Sequence, residues 1–186
     1  MISVIQLWLP ILLSAVAVFV VSSIIHMVLQ FWHSPDYHGF SNEAEIAAAI
    51  RKGDPAPGVY GIPFCKMEDM KKPETLSKYQ QGPVCTVILR RNGTVNMGAF
   101  LLQWFIFCLL VSYFCAYLGT STLLAGTPAL QVFRVLGTAA MMAFAIGVIP
   151  NGIWGGYPWK GVVKAVVDGI LYGLVTGAVF AWLWPK

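Results

Sequence analysis

Charge is what this chain has least of. Of its 186 residues only 12 are Lys or Arg and 8 are Asp or Glu, 11% in all, where soluble domains carry about 25%. That scarcity excludes an ordinary soluble enzyme. The net charge of +4 is too small and too dispersed to argue for nucleic acid as a partner. Several chemical motifs are also missing. The four cysteines form no CxxC pair, which removes the simplest redox reading. The three histidines form no HExxH. Gly152-Ile153-Trp154-Gly155-Gly156 has no following Lys-Ser/Thr, so it reads as a tight turn and not a phosphate loop. No spacing supports a Ser/His/Asp set. No catalytic residue and no cofactor are therefore predicted.

What fills the space is apolar. Hydrophobic residues make up 58% of the chain, and they gather into four runs, roughly 3–28, 97–119, 131–150 and 162–184. Each is long enough to cross a bilayer, which takes about 20 residues. The first run lacks a basic leader and exceeds the apolar core of a secretory signal, so it is read as a retained span. The expected fold is an all-α membrane protein: a four-helix transmembrane bundle with a small α/β extramembrane cap between helices 1 and 2. The first helix occupies 1–30, the cap 31–95, and the last three helices 96–186. Trp8, Trp182 and Trp184 are expected at one interface and Trp32, Trp154 and Trp159 at the other, as an aromatic belt requires.

Charge also orients the chain. Ten of the twelve basic residues fall in the 29–96 segment and the 151–164 region, leaving only Arg134 and Lys186 for the other side. The positive-inside rule then puts the cap in the cytoplasm and both termini outside. Within the cap, Asn42 and Glu45 read as a capping box for a helix over 43–52, with Gly53 as its C′ glycine. Pro73 opens a second short helix, 73–81, and Gly82-Pro83 stops it. Residues 58–64 and 84–90 are expected to be extended and to lie side by side. That pairing would bring Cys65 and Cys85 close, as thiols in a reducing compartment or as a bridge in an oxidising one.

The chain resembles a group of small bacterial inner-membrane proteins with four spans and one hydrophilic insertion after the first. The resemblance is carried by Gly82-Pro83-Val84, Asn96-Met97-Gly98, Gln103-Trp104-Phe105, Tyr157-Pro158-Trp159, Asp168-Gly169 with Tyr172, and Trp182-Leu183-Trp184-Pro185. It implies architecture and a bacterial inner membrane, and no catalytic residue.

The last span carries the sharpest pattern. Small residues recur at every fourth position: Gly161, Ala165, Gly169, Gly173, Gly177 and Ala181. In lipid such a row lets another helix approach closely. The neighbour is a second chain or a helix of the same one. Polar residues gather toward the cap side of the spans: His26, Gln103, Asn151, Lys164 and Asp168. Charges inside a span are costly and need partners. Asp168 lies one turn beyond Lys164, at a spacing that allows an ion pair. His26, His33 and His38, with Asp36, form the only histidine cluster and are the candidate metal or haem ligands. Ser34-Pro35 argues that the first helix ends near there. Cys108 and Cys115 read as small packing groups.

These patterns predict an integral membrane protein that acts by helix association, as a small subunit of a membrane complex or as a homo-oligomer. Its expected partners are the lipid bilayer and a membrane protein or a second copy. One alternative is a transporter or channel component using the one-sided polar cluster. The other is a haem- or metal-binding membrane protein.

Overall fold

The computed structural model describes residues 2–186, which divide into two compact units, 2–37 with 96–186, and 38–95. The first unit contains four helices long and apolar enough to cross a membrane: Val4–Val28, Met97–Thr122, Ala129–Ile153 and Trp159–Leu183. They form a four-helix bundle. Its core is built from Ala15 and Val18 of the first span, Cys108, Cys115 and Ala116 of the second, Val132, Leu136 and Ala140 of the third, and Phe180 of the fourth.

The third and fourth spans are the closest pair, and glycine is the reason. A Cβ placed on Gly169 would stand 2.6 Å from the backbone of Ala145. One on Gly173 would stand 2.8 Å from Met141 N, and one on Gly177 would stand 2.8 Å from Gly137 Cα. The helices therefore meet backbone to backbone over two turns of the row, and the hydrogen on each glycine is what permits it. The neighbour in this row is a helix of the same chain. Gly161 behaves differently: a Cβ there meets nothing within 4 Å. Lateral hydroxyl contacts complete the bundle. Ser14 Oγ donates to Ser112 Oγ at 2.9 Å, and Trp104 Nε1 donates to Ser22 Oγ at 2.8 Å.

Two of the spans are irregular. The first widens into a π-helical turn over Ile24–Val28, where Leu29 N donates to Ile24 O at 3.0 Å. A further helical turn, Gln30–His33, and a tight turn, Ser34–Asp36, follow. The chain thus stays helical up to Pro35 and a residue beyond. The third span is regular over Ala129–Phe144, tightens at Ile146–Val148 and resumes over Ile149–Ile153. Trp184, expected at the interface, is buried: its ring covers Gly119 and its Nε1 donates to Leu124 O at 3.0 Å.

The second unit holds the helices Glu43–Lys52 and Pro73–Gln81 and a two-stranded antiparallel sheet of β1, Gly58–Ile62, and β2, Cys85–Leu89. Its register pairs Gly58 with Leu89 and Ile62 with Cys85. Two local expectations need correction. Asn42 makes no capping bond to the helix backbone; its Nδ2 donates to Glu45 Oε2 at 3.3 Å instead. Gly53 stays right-handed and Asp54 takes the left-handed position, at φ 43°, which a short polar side chain tolerates. Gly82 fills its stop position at φ 62°, ψ −171°, a conformation that only glycine adopts readily.

Candidate functional site

The only acidic residue outside the 29–96 segment is Asp168, and it organises one end of the bundle. It sits on the inner face of the fourth span with 5% of its surface exposed. Its two oxygens are taken by consecutive residues of the first helix's extension. Trp32 Nε1 donates to Asp168 Oδ1 at 2.9 Å, and His33 Nε2 meets Oδ2 at 2.6 Å. With Asp168 as a carboxylate, the His33 nitrogen is the donor, and the bond is charge-assisted and short.

Lys164 does not pair with Asp168. It reaches the next turn of the same extension, where its Nζ donates to both oxygens of Asp36 at 2.8 Å and to the Trp32 carbonyl. The Lys164 ammonium bonded to it holds the Asp36 carboxyl below its ordinary range, against a smaller opposing effect of desolvation. Lys164 and Asp168 have thus each found partners on the segment 32–36. The i, i+4 spacing allowed an internal pair, but two separate external partners leave neither charge unpaired in a poorly hydrated place.

His26 joins from the other side. Its ring stacks on that of His33, centroids 4.5 Å apart and planes 23° from parallel, and its Nε2 lies 3.4 Å from the Tyr172 hydroxyl. In a regular helix positions 26 and 33 are separated by about 10.5 Å along the axis. The wide turn and the break at Leu29 bring the two rings together, and such turns recur at functional sites. Ligand atoms of His26, His33 and Asp168 all lie within 4.8 Å of one another. Tyr172 also roofs an aromatic layer: its ring packs on Trp104 at 6.0 Å and on Phe144 at 5.6 Å, with Trp104 and Phe144 themselves 6.3 Å apart.

Comparisons with protein families, curated proteins and solved structures find no match to the chain. Its chemistry is therefore read from the site itself.

Of the residues singled out in the sequence, the structure gathers His26, His33, Lys164 and Asp168. Gln103 and Asn151 are exposed and take no part in this cluster, although their depth in the spans is similar. Depth is readable from position along a helix; the direction a side chain faces depends on the packing. His38 is exposed and belongs to the other compact unit. Cys65 and Cys85 are free thiols, and the Cys65 Sγ lies 3.6 Å from the Tyr79 hydroxyl. The strand register sets Cys85 opposite Ile62, which leaves Cys65 beyond the paired stretch. Cys108 and Cys115 are buried. Trp32, expected as an interfacial aromatic, and Asp36, expected within the histidine cluster, also supply partners to the two charges of the fourth span. The signal for both was the pair of charges in the fourth span, each needing a counterpart near a span end.

The cluster opens onto a cavity of about 590 Å³ lined by His26, His33, Asp36, Tyr157, Gly161 and Ala165, among others. The two imidazoles form part of its wall, and Asp168 lies behind them, outside the lining. This donor set suits zinc and other first-row divalent ions.

Proposed function

We propose that this multi-pass membrane protein binds a divalent transition-metal ion, with zinc as the reference ion, between His26, His33 and Asp168. The observation that carries the reading is the convergence, within 4.8 Å, of His26 in the first span, His33 on its extension and Asp168 in the fourth span, 135 residues beyond His33. In a tetrahedral site with bonds of about 2.0–2.2 Å the donors lie roughly 3.4 Å apart. To reach that geometry the 2.6 Å contact between His33 and Asp168 opens and the wider separations, all within 4.8 Å, close, with the metal replacing the proton between His33 and Asp168. Trp32 Nε1 holds the second oxygen of Asp168, as an outer partner of a ligand does. Asp36 lies 3.8 Å from the other nitrogen of His33, beyond hydrogen-bond distance, and acts on that ring only as a nearby negative charge.

The glycine row lends no weight to a second chain, because its closest contacts are made by the third span. A passage across the membrane finds no support in the bundle interior either: Trp104, Phe144 and Tyr172 pack together beneath the site. A one-sided site fits the charge distribution. We place the site at the cytoplasmic end of a bundle in a bacterial inner membrane. Cys85, which is exposed, then reacts with an impermeant maleimide only after the inner face is opened.

The test is direct. Purified full-length protein is exposed to zinc, freed of excess by gel filtration and analysed for metal. One ion per chain is expected in the wild type and in a Cys65→Ser/Cys85→Ser variant, and a substoichiometric amount in His26→Ala and His33→Ala. His26 is exposed, so its removal leaves the bundle folded. Metal-free wild-type protein after loading contradicts the reading, as does metal that disappears only with the cysteines.

A further inference from the structure

The three protein donors leave a tetrahedral ion one vacancy, and the molecule keeps a space beside it. The first two members of the small-residue row face that space. Gly161 and Ala165 line the cavity together with His26 and His33, and no atom stands within 4 Å of where a Cβ on Gly161 would be. Small side chains here hold a volume open, whereas Gly169, Gly173 and Gly177 on the same helix admit a neighbouring backbone. The volume, about 590 Å³, falls within the roughly 300–1,000 Å³ of small-molecule sites. Its remaining walls are Tyr37, Tyr157 and Pro158, against which an aromatic or apolar body can lie, together with the polar Ser34 and Asp36. Of the polar groups in its wall, His26 and His33 are the ones that belong to the metal-binding cluster.

We infer that the metal ion keeps an open coordination position facing this cavity, and that the site takes an exogenous small molecule. The ligand has an oxygen or nitrogen donor head for the metal and an aromatic or apolar body of moderate size. Its head replaces a water on the ion, with no change of oxidation state, and its body fills the space beside Gly161 and Ala165. Three protein ligands with one exchangeable position is the arrangement of zinc sites that act on bound molecules, in contrast to closed structural sites. The inference rests on the metal-binding reading above.

The experiment uses full-length protein loaded with cobalt(II), whose visible absorption reports its coordination. Two probes are titrated: azide, which needs only the open position, and benzohydroxamate, whose two oxygens expand the ion to five-coordinate and whose ring also needs room. Both are expected to change the spectrum of the wild type. Gly161→Leu and Ala165→Phe place side chains in the cavity and are expected to weaken benzohydroxamate about tenfold or more relative to azide, equivalent to about 1.4 kcal/mol. Two variants guard against the loss of fold in either one. A cobalt spectrum in the wild type that neither probe alters means that the coordination is closed, and it overturns the inference while leaving metal binding intact. Weakening of both probes to the same degree, or of neither, overturns the assignment of the cavity. Failure of the wild type to take up cobalt or zinc is a different result and removes the metal site itself.

Discussion

Two stretches of the fourth span carry the same sequence device and do opposite things with it. At Gly169, Gly173 and Gly177 the missing side chains are filled by the backbone of the third span, at separations that no Cβ allows. At Gly161 and Ala165 the row continues unbroken in sequence, yet it faces a cavity beside the histidine–aspartate cluster. A small residue fixes how near a neighbour can come. Whether one comes is decided elsewhere, here by the third span. That helix is regular through Phe144, against the lower glycines, and then changes its winding at Ile146–Val148. Beyond that change the first helix's extension, residues 30–36, supplies the partners of Lys164 and Asp168.

Substitutions that strike the two stretches differently put this contrast to the test. The largest loss is expected from Asp168→Ala, which strips Trp32 and His33 of their shared acceptor in a poorly hydrated place. Breaking such a buried pair costs about 3–5 kcal/mol, read as a fall in unfolding free energy in mild detergent. Gly173→Leu comes next. Its Cβ alone collides with Met141 N at 2.8 Å, and overpacking of this kind costs about 1–3 kcal/mol, visible as a lowered melting temperature and poor recovery on size exclusion. Ser14→Ala removes the buried hydroxyl contact with Ser112. Interhelical hydrogen bonds in membranes average about 0.6 kcal/mol, so a small drop in thermal stability is expected, with metal content unchanged. Gly161→Leu closes the series, with a change in stability within about 0.5 kcal/mol because its side chain enters open space. Equal destabilisation by Gly161→Leu and Gly173→Leu erases the contrast.

Much of the fold was legible because lipid imposes a simple rule. Backbone polar groups must be satisfied within each span, so long apolar runs are helices, and the four runs lie where helices stand in the structure. The cap's helices and strands followed from Pro73, Gly82 and the β-branched stretch of β2. The site was legible only in part. Asp168 and Lys164 announce themselves as charges in an apolar run, but their partners sit more than 120 residues away, and no spacing encodes such a contact. The histidine pair was hidden by a second effect. His26 and His33 meet through a wide turn and a break at Leu29, and the sequence Ile24–Val28 is apolar enough to pass for regular helix. Gln103 and Asn151 show the converse: polarity at the right depth, pointed elsewhere.

Zinc K-edge absorption on the loaded full-length protein tests the central claim most directly. The account predicts a first shell of nitrogen and oxygen alone at about 2.0–2.1 Å, with the outer-shell scattering of two imidazoles that falls to one in His26→Ala. A sulfur shell at about 2.3 Å, or an imidazole signal untouched by that substitution, contradicts it.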